Sequence, residues 1–241
     1  MSEAGGSSPA GAADEPQSSP ALARSAAHAF VDDLDAPVLS ASDRRHLEKV
    51  MRLREGELVT VADGRGGWRA TTFGAVLQVV GEIRHERRAH LPVGVAFALV
   101  KGDRNELVVQ KLTELGIDAI VPMHTERCVV HWEADRSARH LDRLRRVARE
   151  AAMQCRRAWL PEVREPVEFA VACRWPGAAL ADAGGAPLTV EHSMVLVGPE
   201  GGWTSTERTC GIPVIGLATH VLRAETAAIA AGVLLSVTRR S

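Results

Sequence analysis

Arg223 and Glu225 lie two positions apart at the entrance to an apolar run, and Glu200 sits inside the turn Gly198-Pro199-Glu200-Gly201-Gly202 some twenty residues earlier. These residue types suit one kind of chemistry. A fixed arginine stabilises negative charge as it develops on a reacting oxygen. A carboxylate within reach takes or holds a proton. Glycines let main chain approach a ligand where any Cβ would clash. The turn follows Val195-Leu196-Val197, so it reads as the end of a buried strand. Strand ends beside a helix N-terminus are where ligands of α/β proteins bind. Plainer readings stay open at this point. Arg223 and Glu225 could pair with each other on the surface, a weak interaction. The turn also serves as a strand-to-helix loop, with Thr204 or Ser205 as N-cap and Glu207 in the first turn.

Other candidates stand at strand ends too. Lys101-Gly102-Asp103-Arg104 follows the buried strand Val95–Val100, and Glu126-Arg127-Cys128 follows the next one. Cys128 lacks an arguable base partner, which speaks against a nucleophile. Eight arginines fall between Arg136 and Arg157, mostly opposite an apolar stripe of Leu141, Leu144, Val147, Ala148 and Ala151. They form either a solvated face or a set of phosphate contacts. Arg156-Arg157-Ala158-Trp159 adds an aromatic ring, which suits an unstacked base or an RNA backbone. No P-loop pattern is present, and no G-x-G-x-x-G follows the first α/β strand. Asp63-Gly64-Arg65-Gly66-Gly67 reads as a hairpin turn.

The elements that must hold these residues follow from composition and pattern. At 241 residues and 46% hydrophobic, the chain can bury a real core in one or two domains. A net charge of −1 sets up no global field. Four scattered cysteines without a C-x-x-C pair argue against a zinc site and a disulfide framework, and fit a reducing cytoplasm. No apolar run reaches the roughly 18 residues of a membrane span. Residues 1–23, rich in Ser, Gly, Ala and Pro, read as a disordered tail. Residues 24–88 read as a small β-rich module consistent with a barrel: a helix over Asp43–Arg52 and strands over Glu57–Ala62, Trp68–Phe73 and Ala75–Val80. The charged run His85-Glu86-Arg87-Arg88 marks a linker. Residues 89–241 alternate strand and helix. Asn105–Leu115 is a helix stopped by Gly116, and Asp118–Val121 is a strand ended by Pro122. Ser137–Gln154 is a helix, Met194–Val197 and Val214–Leu217 are strands, and Thr226–Val237 is a closing apolar helix. Such alternation implies a mostly parallel sheet covered on both faces.

Taken together, Gly198-Pro199-Glu200-Gly201-Gly202, Leu222-Arg223-Ala224-Glu225-Thr226-Ala227, Gln110-Lys111-Leu112-Thr113-Glu114-Leu115-Gly116 and Thr125-Glu126-Arg127 resemble the RsmE family of bacterial small-subunit ribosomal RNA uracil-N3 methyltransferases, of the SPOUT class. Gln154-Cys155-Arg156-Arg157, Leu160-Pro161-Glu162-Val163, His46-Leu47 and Val50-Met51-Arg52-Leu53-Arg54-Glu55-Gly56 extend the likeness over residues 24–241. The resemblance implies an N-terminal PUA-like RNA-binding barrel and a C-terminal α/β domain with a deep trefoil knot, an exception to the usual rules of chain connection. It implies S-adenosylmethionine held by Val197, Gly198, Pro199, Glu200, Gly201, Gly202, Leu217, Val221, Leu222, Arg223 and Thr226, no metal, and a homodimer acting on 16S ribosomal RNA in the assembled small subunit. The chain departs from the family in two places. Leu217-Ala218-Thr219 stands where most members have Leu-Gly-Pro, and only nine residues separate Glu207 from Leu217.

For such a reaction Arg223 is expected to stabilise charge on the uracil oxygens, with Glu200 or Glu225 assisting deprotonation. Lys49, Arg52, Arg54, Lys101, Arg104, Arg127, Arg156 and Arg157 are the expected RNA contacts. The rival readings are a non-enzymatic RNA-binding or ribosome-assembly protein that has kept the fold, and a SPOUT methyltransferase of another RNA.

Overall fold

The computed structural model describes residues 22, 24–88, 91–132 and 134–239. The expected tail, residues 1–23, lies almost wholly outside them.

The first module is a five-stranded mixed sheet. Strand β1 (Ala27–Phe30) runs parallel to β2 (Leu58–Ala62), between which lies α1 (Ala41–Arg45), continuing as a π-helical turn over His46–Val50. Ser40 caps α1 by accepting the Asp43 N–H at 3.0 Å. Strand β3 (Gly67–Thr72) pairs antiparallel with β2, with β4 (Gln78–Val79) and with β5 (Arg84–His85). Val59 and Val61 face a core with Leu47, Phe73 and Leu77, as the period of two requires. Two expectations need correction. The strand expected over Ala75–Val80 shrinks to β4. The expected linker begins as a strand, because Arg84 and His85 find open ladder positions opposite Trp68 and Gly67.

The second module holds β6 (Gly94–Ala98), α2 (Arg104–Glu114), β7 (Ala119–His124), α3 (Ala134–Cys155), β8 (Glu162–Val163), β9 (Val167–Glu168), α4 (Phe169–Ala172), β10 (Ala178–Ala186), β11 (Met194–Val197), α5 (Ser205–Arg208), β12 (Val214–Ile215) and α6 (Ala224–Thr238). Its sheet runs β12-β10-β11-β6-β7-β8, with β9 also on β7, and every pairing is parallel. Successive residues of the central strands face opposite layers. Val95, Phe97, Val195 and Val197 meet Leu112, Leu144, Ala231 and Leu235 from α2, α3 and α6. Ala96 and Leu196 meet Phe169, Ala172 and Trp203 on the other side. This is the expected α/β architecture with helices on both faces. No helix among the described residues is long and apolar enough to cross a membrane.

Pro122 does not end its strand, contrary to expectation; β7 runs through it to His124. The Met123 carbonyl accepts Leu99 N–H on the β6 side and the Ile120 carbonyl accepts Arg164 N–H on the other. By alternation Pro122 faces that second side, where the ladder is interrupted between β8 and β9. Its missing donor falls in the gap. Strand β10 has no counterpart in the sequence reading. Its Ala-Ala-Leu-Ala-Asp-Ala-Gly-Gly-Ala composition carries almost no β propensity, yet it lies inside the sheet.

The two modules meet along the end of α3. Arg149 donates from both terminal nitrogens to Asp43, at 2.9 and 2.7 Å, and from Nη2 to the Phe30 carbonyl at 3.2 Å. Burial pushes the Asp43 carboxyl up, but hydrogen bonds from Arg149 and Ser40 outweigh it and leave it below its ordinary value. His28 Nε2 meets the Arg157 carbonyl at 3.1 Å and its Nδ1 meets Thr60 Oγ1 at 2.9 Å. Burial holds the His28 ring neutral, with its pKa pushed down to about 4.

Candidate active site

Strand β11 is buried along its length and delivers the chain to the carboxyl edge of the sheet. There the chain turns at once: Gly202, at φ +68°, donates its N–H to the Pro199 carbonyl at 2.9 Å. The turn is pinned from two sides. Trp203 is buried, donates from Nε1 to the Ala181 carbonyl at 2.9 Å, and packs so tightly that a Cβ on Gly198 would sit 2.8 Å from its indole. Arg127 donates to the carbonyl of Gly201 at 3.0 Å. Thr204 then caps α5 in a reciprocal capping box with Glu207, as the spacing predicts. Glu207 also accepts the Glu126 N–H at 3.0 Å, so one buried carboxylate ties the turn after β11 to the loop after β7. The sequence reading had only the cap.

Around this turn lies a cavity of about 320 Å³. Val197, Gly198, Pro199, Glu200, Gly202, Leu217, Val221 and Leu222 line it, as expected. Gly201, Arg223 and Thr226 belong to the same loops but do not line it. The far wall was not anticipated: Ala181, Asp182 and Ala183 from β10, with Trp203, Ala218 and His220. Strand β10 is irregular here, its register against β12 shifting between Ala181 and Ala186. Gly185 runs so close to Ile215 that a Cβ would overlap its main chain. Asp182 is held by Arg208 at 2.7 Å.

Helix α6 begins at Ala224, two residues earlier than expected, and this places Glu225 in its first turn. Arg223 is the N-cap residue, exposed, with no side-chain capping bond. It does not pair with Glu225. Glu225 instead faces Arg104, whose Nη1 lies 3.6 Å from Oε2 of Glu225 and hydrogen-bonds Oε1 of Glu200. The hydrogen bond that Arg104 donates to Glu200 outweighs burial and drives the Arg104 guanidinium further toward its charged form. Three buried side-chain atoms among the described residues have no hydrogen-bond partner: Glu225 Oε2, Thr125 Oγ1 and His124 Nδ1. All three belong to the carboxyl end of β7 or the start of α6. Unpartnered buried polar atoms are rare in folded proteins and gather where a ligand completes them. Burial also lowers the His124 pKa, and its ring stacks on His131 with centroids 5.3 Å apart.

The expected RNA contacts separate into three groups. Lys49, Arg52, Arg54 and Lys101 are exposed. Arg104 and Arg127 are engaged by the site itself. Arg156 and Arg157 sit in the module junction. Arg156 donates to the Ser25 carbonyl at 2.6 Å, and Arg157 donates to the carbonyls of Thr113 and Ile117 at 2.8 and 3.1 Å. Burial lowers the Arg157 pKa. Two further arginines of the helix also pair within the protein, Arg143 with Glu106 and Arg145 with Glu165.

The site can take a ligand of small-molecule size between apolar walls and glycine main chain, with Glu200 and Asp182 in its lining and Arg223, which forms no ion pair among the described residues, next to Leu222 and Ala224 in its wall. S-adenosylmethionine fits that set: Val197, Leu217, Leu222 and Ala227 offer apolar surface, and the 198–202 turn offers main-chain groups.

Comparison with known proteins agrees. An RNA methyltransferase domain matches residues 87–236. The ribosomal RNA small subunit methyltransferase E of Mycobacterium bovis is 32% identical over 236 residues, covering 83% of this chain and 87% of the relative. That of Synechocystis is 32% identical over 216 residues, covering 78% and 69%. A Legionella pneumophila protein described as a methyltransferase, solved with S-adenosylmethionine, superposes with a TM-score of 0.77 at 27% identity over 89% of this chain and 98% of that one. The Neisseria gonorrhoeae ribosomal RNA small subunit methyltransferase E, also bound to S-adenosylmethionine, superposes at 0.72 with 26% identity over 86% and 94%. With an RNA methyltransferase domain over more than half of its length and relatives 32% identical across most of it, the chain belongs to the ribosomal RNA small subunit methyltransferase E family.

Proposed function

We propose that this protein methylates N3 of a specific uridine in 16S ribosomal RNA of the small subunit, using S-adenosylmethionine. It is an S-adenosylmethionine-dependent ribosomal RNA methyltransferase by family. The choice of N3 rests on the resemblance and on the site's chemistry. One observation carries the reading: the cavity at the end of β11, lined by the glycine turn with Glu200 and by Leu217, Val221 and Leu222, beside the start of α6 that carries Arg223 and Glu225.

S-adenosylmethionine supplies an activated methyl group. The protein's work is positioning and proton handling. The glycine turn and Leu217, Val221 and Leu222 hold the methyl donor and shed water from it. Uracil N3 is an imide that pairs in helices, so the base enters unpaired or flipped out. A carboxylate at the rim accepts the N3 proton. Arg223, with no partner among the described residues, is placed to meet the charge that spreads onto the uracil oxygens. Lys49, Arg52, Arg54 and Lys101 give the RNA backbone its exposed cations.

The same reading includes a homodimer with its site near the subunit interface, a cytoplasmic location, a knotted C-terminal domain, and a first module that closes as a PUA-like barrel on the assembled small subunit. Val221, 92% exposed at the cavity mouth, supports a partner surface there. Ala218, the departure from the family's glycine, forms part of the cavity wall.

The decisive experiment is mass spectrometry of ribosomal RNA nucleosides with and without the gene, followed by methylation of isolated small subunits by the purified protein. Loss of N3-methyluridine with the gene is the expected result. Unchanged nucleosides, with no uptake of S-adenosylmethionine in calorimetry, would leave an RNA-binding protein on this fold.

A further inference from the structure

We propose that Arg104 is the positioning residue for the reaction's proton acceptor: it clamps Glu200 at the cavity edge and is itself anchored by buried Glu225. This rests on the methyltransferase reading above and assigns separate tasks to the two carboxylates.

The two glutamates differ in surroundings. The Glu225 side chain is 11% exposed, and its Oε2 has no hydrogen bond, only the guanidinium 3.6 Å away. A buried carboxylate is stable as an ion only beside a countercharge. Arg104 supplies that countercharge, so Glu225 fixes where the guanidinium sits. The Glu200 side chain is 56% exposed and lines the cavity. Arg104 holds its Oε1, while its Oε2 bonds no described residue. One oxygen is fixed and the other is free of described partners, on a residue that lines the cavity.

The step balances simply. The N3 proton passes to Glu200 Oε2, which becomes the neutral acid. The electron pair of the N–H bond stays on N3, where the new bond forms. The acid later returns its proton to solvent.

Other charged groups near this cluster are Lys101 and Asp103 on the Arg104 loop and Glu106 on α2, the last bound by Arg143. Arg127, held at the Gly201 carbonyl, and Glu126 come from the loop after β7, and His220 and Arg223 from the segment before α6. None of these makes an ion pair with Glu200 or Glu225 among the described residues.

The test compares kcat and KM for the full chain and for Arg104→Gln, Arg104→Lys and Glu200→Gln, with small subunits and S-adenosylmethionine as substrates. In Arg104→Gln kcat falls about 10-fold while KM for S-adenosylmethionine holds, because the acceptor carboxylate is no longer fixed. In Arg104→Lys, which restores the cation, kcat recovers toward the parent value. Glu200→Gln, at an exposed side chain that the fold does not need, lowers kcat about 100-fold. Calorimetric binding of S-adenosylmethionine and the thermal midpoint identify folded variants. An unchanged kcat in folded Arg104→Gln, with weaker RNA binding and a smaller salt slope, overturns the proposal and makes Arg104 a phosphate contact. So does a Glu200→Gln variant within twofold of the parent kcat. Failure of the methyltransferase reading looks different: the unaltered chain then leaves the RNA unmethylated.

Discussion

The module junction and the cavity rim both set an arginine against carboxyl groups, and they do opposite things with it. At the junction Arg149 grips Asp43 with two hydrogen bonds, adds the Phe30 carbonyl, and lies over the Phe30 ring. His28 and Arg157 beside it have partners for their nitrogens as well. At the rim Arg104 is shared between two glutamates, Arg223 has no described partner, and three buried polar atoms nearby go without a hydrogen bond. Satisfied polar groups at a buried seam fix one arrangement. Unsatisfied ones store cost that a ligand relieves. The contrast separates charges that the fold satisfies from charges it leaves partly unsatisfied.

The comparison breaks first at Arg223. Arg223→Ala is expected to lower the methylation rate about 100- to 1,000-fold, the usual loss for a donor aimed at developing charge. Calorimetry should show S-adenosylmethionine binding unchanged; near-normal methylation would move Arg223 out of the chemistry. At the junction the largest effect is a pH dependence. His28 is neutral in the fold, with its pKa pushed down to about 4 from 6.5. The unfolded chain therefore binds the proton first. Stability is full above pH 6.5 and falls between pH 6.5 and 4 by about 3 kcal/mol. Urea unfolding across that range measures it, and His28→Gln should flatten the slope; an unchanged slope would assign the loss to other groups.

Asp43→Asn leaves Arg149 without its carboxylate and is expected to cost about 2 kcal/mol of stability. Because the folded Asp43 pKa lies below its ordinary 3.8, its contribution is present above that value and is lost as pH falls through the lower folded one. S-adenosylmethionine binding should not change; a matching loss there would mean that junction and rim are coupled. The smallest effect is at Arg52, an exposed residue at φ +56°. Arg52→Gly removes backbone strain worth about 1 kcal/mol. It should raise the thermal midpoint while reducing the salt dependence of RNA binding by about one phosphate contact. An unchanged salt slope would leave that strain unexplained by RNA.

Particular residues show how far the sequence could be read. The unbroken apolar runs Val95-Ala96-Phe97 and Val195-Leu196-Val197 announce strands buried on both faces, and both are central in the sheet. The Leu141, Leu144, Val147, Ala148 and Ala151 stripe announces α3, and all of it is buried except the half-buried Val147. Strand β10 is invisible because alanine and glycine carry no strand signal; its place is created by β11 on one side and β12 on the other. Pro122 looks like a stop because its missing N–H is local knowledge, whereas the gap between β8 and β9 that tolerates it is not. Arg156 and Arg157 look like RNA contacts because adjacent cations beside a tryptophan resemble an RNA surface. Only the fold brings the carbonyls of Ser25, Thr113 and Ile117 to them.

The sequence by itself determined the family, the parallel α/β sheet and the two loops that make the cavity, since hydrophobic period and glycine placement act within a few residues of chain. The tertiary structure alone decided the use of each charge. Arg104 left the expected RNA surface for Glu200 and Glu225, Glu207 tied two loops together, and β10 supplied a wall. A charged side chain acts through whatever lies within a few ångströms of it, and here those neighbours come from strands far apart along the chain.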